Sequence, residues 1–165
     1  MTLEIRKAVE ADIPEIFSIT REAFEKYARD LGLPHAVSAL KETYETIQRD
    51  LKTKTILIAL LDGIPVGSVR FEVLPGNIAY VSRFGVKLDI QNCGVGKALI
   101  SAVEKEAREM GLDALTLHTA AKMTALVRFY YGLGFYIHST TTDRGYIRAL
   151  LCRDLTENTS TCLEV

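Results

Sequence analysis

The chain has 165 residues, 48% of them hydrophobic and 25% charged, with a formal net charge of −1. That length supports one domain spanning residues 1–165 with its own core, and the near-neutral balance gives no electrostatic reason to expect nucleic acid as a partner. The longest apolar run, Thr55 to Leu61, is too short to cross a bilayer, and the N-terminus lacks a basic stretch leading into an apolar core, so neither a membrane span nor a signal peptide is expected.

Residues Leu3 and Ile5 alternate with polar neighbours as a short strand. A helix opens at Asp12-Ile13-Pro14-Glu15: Asp12 is a candidate cap, Pro14 suits the first turn, and Glu15 completes a capping-box spacing. Ile16, Phe17, Ile19, Ala23, Phe24 and Tyr27 follow at helical spacing, and Gly32-Leu33-Pro34 ends the run. Val37 to Leu51 predicts a second helix. Thr55 to Leu60 is a buried-strand run, Asp62-Gly63 a hairpin turn, and Val66 to Leu74 its partner strand.

Pro75-Gly76-Asn77 turns the chain into a third strand, Ile78 to Val86, which completes an antiparallel meander. Gly85 within it marks a bulge, a close backbone approach, or a tolerated glycine near a strand end. Val95 to Met110 predicts a helix burying Leu99, Ala102, Val103, Ala107 and Met110, with Gly111 placed to stop it. Leu115 to Thr119 is a strand, so strand, crossover helix and strand imply a parallel pair. Met123 to Tyr131 is a short helix, and Phe135 to Thr140 with Gly145 to Arg153 form a closing hairpin. The polar tail, from about residue 156 to 165, is expected to fray. The fold class is therefore α/β (α+β), with a mixed, mostly antiparallel central sheet flanked by helices.

Cys93, Cys152 and Cys162 are odd in number and lack metal-ligand spacing, and His35, His118 and His138 do not cluster with them in sequence. Free thiols in a reducing, cytoplasmic compartment are expected, and no metal.

The segment Gln91-Asn92-Cys93-Gly94-Val95-Gly96-Lys97-Ala98 joins a strand to a helix. Glycines there permit a tight turn with exposed N–H groups, and the helix N-terminus adds partial positive charge, which together suit a pyrophosphate. A dinucleotide fingerprint would need glycine or alanine at Leu99 and an acidic residue about 20 positions on; a P-loop would need glycine at Gln91 and serine or threonine at Ala98. Neither pattern fits.

The pattern Gln91-x-x-Gly94-x-Gly96 resembles the acetyl-CoA signature of the GNAT superfamily of N-acetyltransferases. Two further blocks agree: Asp62 to Gly67 is similar to that family's second hairpin, and Leu115 to Thr119, Met123, Tyr130 and Gly134-Phe135 are similar to its closing segment. The resemblance spans roughly residues 3 to 153. It implies a GNAT-like acyl-CoA acyltransferase fold and acetyl-CoA as co-substrate.

On that resemblance, backbone N–H groups of Asn92, Cys93, Gly94, Val95, Gly96, Lys97 and Ala98, with the Gln91 side chain, hold the pyrophosphate. Phe84, Gly85 and Val86 form the strand edge along the pantetheine arm, with the Val86 N–H polarising the thioester carbonyl. Tyr130 protonates the departing thiolate. The acceptor lies against the first two helices, where Phe24, Tyr27 and Tyr44 either line its pocket or pack in the core, and Glu25, Glu42 and Glu45 either attract a cation or stand on solvated helix faces. Many relatives carry a glutamate base where Ser82 stands here; Glu72 and His118 are substitutes, and no base is assigned.

The implied reaction is acetyl transfer to a primary amine, of a small molecule or a peptide, by direct attack. An acyl-CoA sensor without turnover and an enzyme of protein N-termini or lysines are the alternatives. A homodimer through edge strands or the last hairpin is compatible with the sequence.

Overall fold

A computed structural model of the chain describes residues 1–156. The rest of the tail expected to fray, residues 157–165 with Cys162, lies outside them. Seven strands form one sheet: β1 (Leu3–Lys7), β2 (Thr55–Leu61), β3 (Ile64–Leu74), β4 (Ile78–Val86), β5 (Ala114–Ala120), β6 (Tyr136–Thr141) and β7 (Arg148–Asp154). Their spatial order is β1-β2-β3-β4-β5-β7-β6. The pairs β1–β2, β2–β3, β5–β7 and β6–β7 are antiparallel, and β4–β5 is parallel. Four helices accompany the sheet: α1 (Ile13–Leu31), α2 (Tyr44–Thr53), α3 (Val95–Glu109) and α4 (Thr124–Gly132). The expected mixed, mostly antiparallel α/β architecture is thus present.

The packing divides into two compact units. One comprises Met1–Glu72 with Arg83–Val103, the other Val73–Ser82 with the chain from Glu104 onward.

In the first unit, the Asp62-Gly63 turn has both central residues at positive φ, 51° and 82°, which matches the twist of the strands it joins. A core cluster forms where Ile13 and Ile16 of α1 and Ile47 of α2 meet Ile56, Ile58 and Leu60 of β2. Each such buried aliphatic side chain contributes about 1.5–3 kcal/mol through its lost water contact. A second cluster joins Ala28, Val37 and Ala39 with Phe24, Tyr27, Leu31 and Leu40.

Three sequence expectations change here. Asp12 makes no side-chain cap on α1; its carboxylate instead accepts both prongs of Arg6, at 2.7 and 2.9 Å, and the Val9 N–H at 2.8 Å. A charged donor outcompetes the helix N–H groups for that carboxylate. The predicted helix from Val37 to Leu51 is broken: Ser38–Lys41 is a short 3-10 turn, Glu42 is extended, and α2 starts at Tyr44. The break follows from Thr43 and Thr46, each of whose hydroxyls accepts the other's backbone N–H, at 3.3 and 3.0 Å, a reciprocal cap that fixes a new helix start.

Glu42 is also not on a solvated face. It is 9% exposed and forms a two-pronged ion pair with Arg70 of β3, whose side chain is fully buried. Asp50 accepts from Arg70 Nη1 at 2.8 Å, and Arg83 Nε lies 3.7 Å from Glu42. Glu25, by contrast, pairs with Arg21 one turn away at 3.1 Å on an exposed surface, as a solvated helix face does.

In the second unit, Ile78, Ala114, Leu150 and Cys152 form a buried cluster with Tyr136 packed against it. Strand β7 lies between β5 and β6, with Ala114↔Asp154 through Ala120↔Arg148 in register on one side. The Gly111 stop is present at φ 73°, its N–H bonded to Arg108 O at 3.0 Å. Met110, expected in the core, is half exposed at 50% because α3 ends one residue earlier.

Candidate active site

The first unit carries the turn singled out by sequence. After β4 the chain makes a 3-10 turn at Leu88–Ile90, then the Gln91–Gly94 turn, then α3 from Val95. Asn92 has φ 72° and Gly94 φ 83°, so two residues of this turn sit in the left-handed region. Glycine enters that region freely and asparagine is the side chain that tolerates it best. Helical bonding begins with Ala98 N–H to Gly94 O at 3.0 Å. The N–H groups of Val95, Gly96 and Lys97 precede that bond and have no partner within the helix.

Gln91, Asn92, Cys93, Gly94 and Lys97 are exposed, Gly96 and Ala98 are half-buried, and Val95 is buried as the anchor of the turn. The Gln91 side chain folds back to Val86 O at 3.4 Å, a weak contact that brings two of the expected site residues together.

Upstream, Phe84 is half-buried while Gly85 and Val86 are buried. A Cβ placed on Gly85 would stand 2.9 Å from Ala23 Cβ of α1. Of the readings open from sequence, the structure shows close approach at Gly85. The backbone kink sits two residues earlier, at Arg83, whose φ is 51°. Arginine is not a residue type that favours this conformation, so nothing in the local sequence signals it.

The second unit carries Tyr130. It lies on α4, 5% exposed, with its ring edge-on to Phe135 at 5.6 Å and to Phe129 at 5.3 Å. Tyr131 is 50% exposed, as expected from the 100° step between neighbours on a helix. Met123 precedes α4 and makes no side-chain cap.

The same unit contains a pair that sequence reading did not join. Tyr80 Oη of β4 lies 2.7 Å from His118 Nδ1 of β5. The residues are 38 apart, and only the parallel register, with Tyr80 opposite Thr116, brings them together. The His118 pKa is held below its ordinary value, first by burial and then by Arg148 and Arg144, with Asp143 opposing.

Of the candidate acceptor lining, Phe24 and Tyr27 pack together at 5.8 Å within their cluster, and Tyr44 is half exposed against Phe17 at 5.1 Å. No helix among the described residues is long and apolar enough to cross a membrane.

Comparison with known proteins follows the same line. The profile of the acetyltransferase (GNAT) family matches residues 14–135. A spermidine N(1)-acetyltransferase of Thermoplasma acidophilum is 25% identical over 149 residues, covering 85% of this chain and 92% of its own. The crystal structure of the PaiA N-acetyltransferase of Thermoplasma acidophilum, in complex with coenzyme A, has a TM-score of 0.83 at 21% identity, covering 93% of this chain and 99% of that one. The ribosomal-protein-S18-alanine N-acetyltransferase of Escherichia coli has a TM-score of 0.75 at 19% identity, with 95% and 98% covered. These structural likenesses show the fold.

The chain belongs to the acetyltransferase (GNAT) family. Its activity is acetyl-CoA-dependent N-acetyl transfer.

Proposed function

We propose that the protein moves an acetyl group from acetyl-CoA to a primary amine by direct attack of that amine on the thioester. The observation that carries the donor side is the Gln91–Gly94 turn, with Asn92 and Gly94 both left-handed ahead of the α3 N-terminus. Such a turn aims successive N–H groups outward, which suits the CoA pyrophosphate. In this reading Gln91, Asn92, Cys93, Gly94, Val95, Gly96, Lys97 and Ala98 hold the pyrophosphate, and Phe84, Gly85 and Val86 hold the pantetheine arm and polarise the carbonyl. Tyr130 gives a proton to the thiolate as it leaves. Holding both reactants in place supplies much of the rate.

The spermidine-acetylating relative makes polyamines the first acceptors to try. The experiment mixes the protein with acetyl-CoA and a panel of amines, including spermidine, small amino acids and a peptide with a free N-terminus, and follows thiol release. Thiol release with an N-acetylated product supports the reading and names the acceptor class. CoA binding by calorimetry without release across the panel favours a sensor instead.

A further inference from the structure

Where the Gln91–Gly94 turn sits depends on the chain that leads into it. After β4 the backbone is held at two successive residues. Lys87 N–H donates to Val66 O of β3 at 2.8 Å. Leu88 N–H donates to Glu22 Oε2 of α1, also at 2.8 Å. Beyond Leu88 the backbone bonds are local, Ile90 N–H to Lys87 O and Ala98 N–H to Gly94 O, each at 3.0 Å. Leu88 is thus where the approach to the turn is tied to a distant element, 66 residues earlier in the chain.

The local sequence cannot make this bond. The first N–H groups of any helical turn lack a partner within it. The residue placed to cap the Leu88–Ile90 turn is Lys87, whose side chain carries donors only, and it makes no cap. Glu22 supplies the acceptor from α1 instead. An ionised carboxylate is a stronger acceptor of an N–H than a neutral oxygen. Ala23, beside it, explains the reach. A Cβ on Gly85 would stand only 2.9 Å from Ala23 Cβ, so bare backbone there lets α1 lie close to the end of β4. A glutamate side chain then spans the remaining gap to Leu88 N–H. Glu22 and Leu88 are both exposed, so core packing does not dictate the contact.

We propose that Glu22 is a positioning residue for the acetyl donor: its carboxylate fixes the start of the segment whose N–H groups hold the CoA pyrophosphate. The inference rests on the donor side of the acetyl-transfer reading above. Glu22 acts through Leu88 rather than on CoA itself, and sets the direction in which the N–H groups from Asn92 to Lys97 point. Its charge and its hydrogen bond have opposite effects. CoA is an anion, so a carboxylate near its pyrophosphate weakens binding by charge alone. A carboxylate that orders the turn strengthens it, by removing an ordering cost from the binding step.

The test measures CoA affinity by calorimetry for the wild type and for Glu22→Ala, Glu22→Asp and Glu22→Gln. Glu22→Ala is expected to weaken CoA binding about fivefold. Glu22→Asp keeps the charge but is one methylene shorter, and should weaken binding by a similar factor. Glu22→Gln loses the charge but keeps an oxygen at the same reach, and should bind within about twofold of wild type. The urea midpoint should be unchanged in all three, a readout that a merely structural role would move. In the thiol-release assay the Glu22→Ala loss should appear in KM for acetyl-CoA, with kcat within about twofold. A Glu22→Ala variant that binds CoA as tightly as wild type, or more tightly, overturns the assignment, as does a glutamine variant as weak as alanine. A wild type that binds no CoA overturns the donor reading and this assignment with it. A wild type that binds CoA but releases no thiol with any amine overturns the transfer reading alone, because the positioning effect is read from binding.

Discussion

Arg70 and Glu42 meet through both prongs of the guanidinium: Nη2 donates to Oε2 at 2.8 Å and Nη1 to Oε1. Neither side chain has appreciable contact with water, at 0% and 4% exposure. A buried pair of this kind is weak evidence for net stabilisation, because both ions are desolvated. Losing one partner is a different matter, since the survivor is left charged in the interior.

Arg70→Met is therefore expected to destabilise the protein by about 3–5 kcal/mol, read from urea unfolding. The double variant Arg70→Met with Glu42→Leu should recover much of that loss, although Asp50 remains at the site. If the single variant unfolds at the wild-type midpoint, the pair is energetically silent.

A pH effect follows from Asp12. Hydrogen bonding to Arg6 first, then to the Val9 N–H, holds its carboxyl below the ordinary value of 3.8, against the opposing effect of burial. The unfolded chain thus binds the proton more readily than the folded one. The contribution is fully present above the unfolded value and is lost as pH falls through the folded one. Arg6→Met should accordingly be less stable than wild type at pH 6, and the gap should close as pH falls through the lowered value of the folded carboxyl. A gap that is constant with pH would assign the loss to packing instead.

For the turn, Gly94→Val forces a β-branched residue into φ 83°. The cost is about 1–2 kcal/mol or more in backbone strain, and the N–H groups are re-aimed. CoA affinity is expected to fall at least about tenfold by calorimetry. Cys93→Ser, which leaves the backbone untouched, serves as the comparison and should bind like wild type.

Tyr130→Phe removes one hydroxyl and keeps the ring against Phe135. Turnover should fall about 100-fold or more, with CoA affinity nearly unchanged. Equal rates would reduce Tyr130 to a packing residue.

What was legible in the sequence was local. The Asp62-Gly63 hairpin, the Gly32 and Gly111 stops and the Gln91–Gly94 turn all rest on backbone conformations that particular residue types favour within a few positions. Of the α3 stripe expected from sequence, Leu99, Val103 and Ala107 are buried, visible because a helix repeats its buried face at a fixed spacing.

What was not legible depended on distance along the chain. Arg70 on a strand looks like any outward-facing residue until Glu42, 28 residues away, is known to lie over it. Asp12 had every local property of a cap, and Arg6 claimed it. Tyr80 and His118 meet only through a strand register that no residue pattern encodes. Each of these is a charge or polar pairing across elements, where chemistry is set by the fold rather than by neighbours.

Two glycines of the first unit have opposite neighbours. A Cβ on Gly67 would stand 2.9 Å from Leu99 and 3.2 Å from Val95 of α3, whereas one on Gly85 would meet Ala23 of α1. Adjacent strands are thus stripped of bulk toward opposite layers, and each helix is seated by a missing carbon. A single methyl at position 67 would press on the helix that begins after the Gln91–Gly94 turn, and one at position 85 would press on α1. The seating of α3 and that of α1 can then be disturbed one at a time, by steric wedges set inside the sheet.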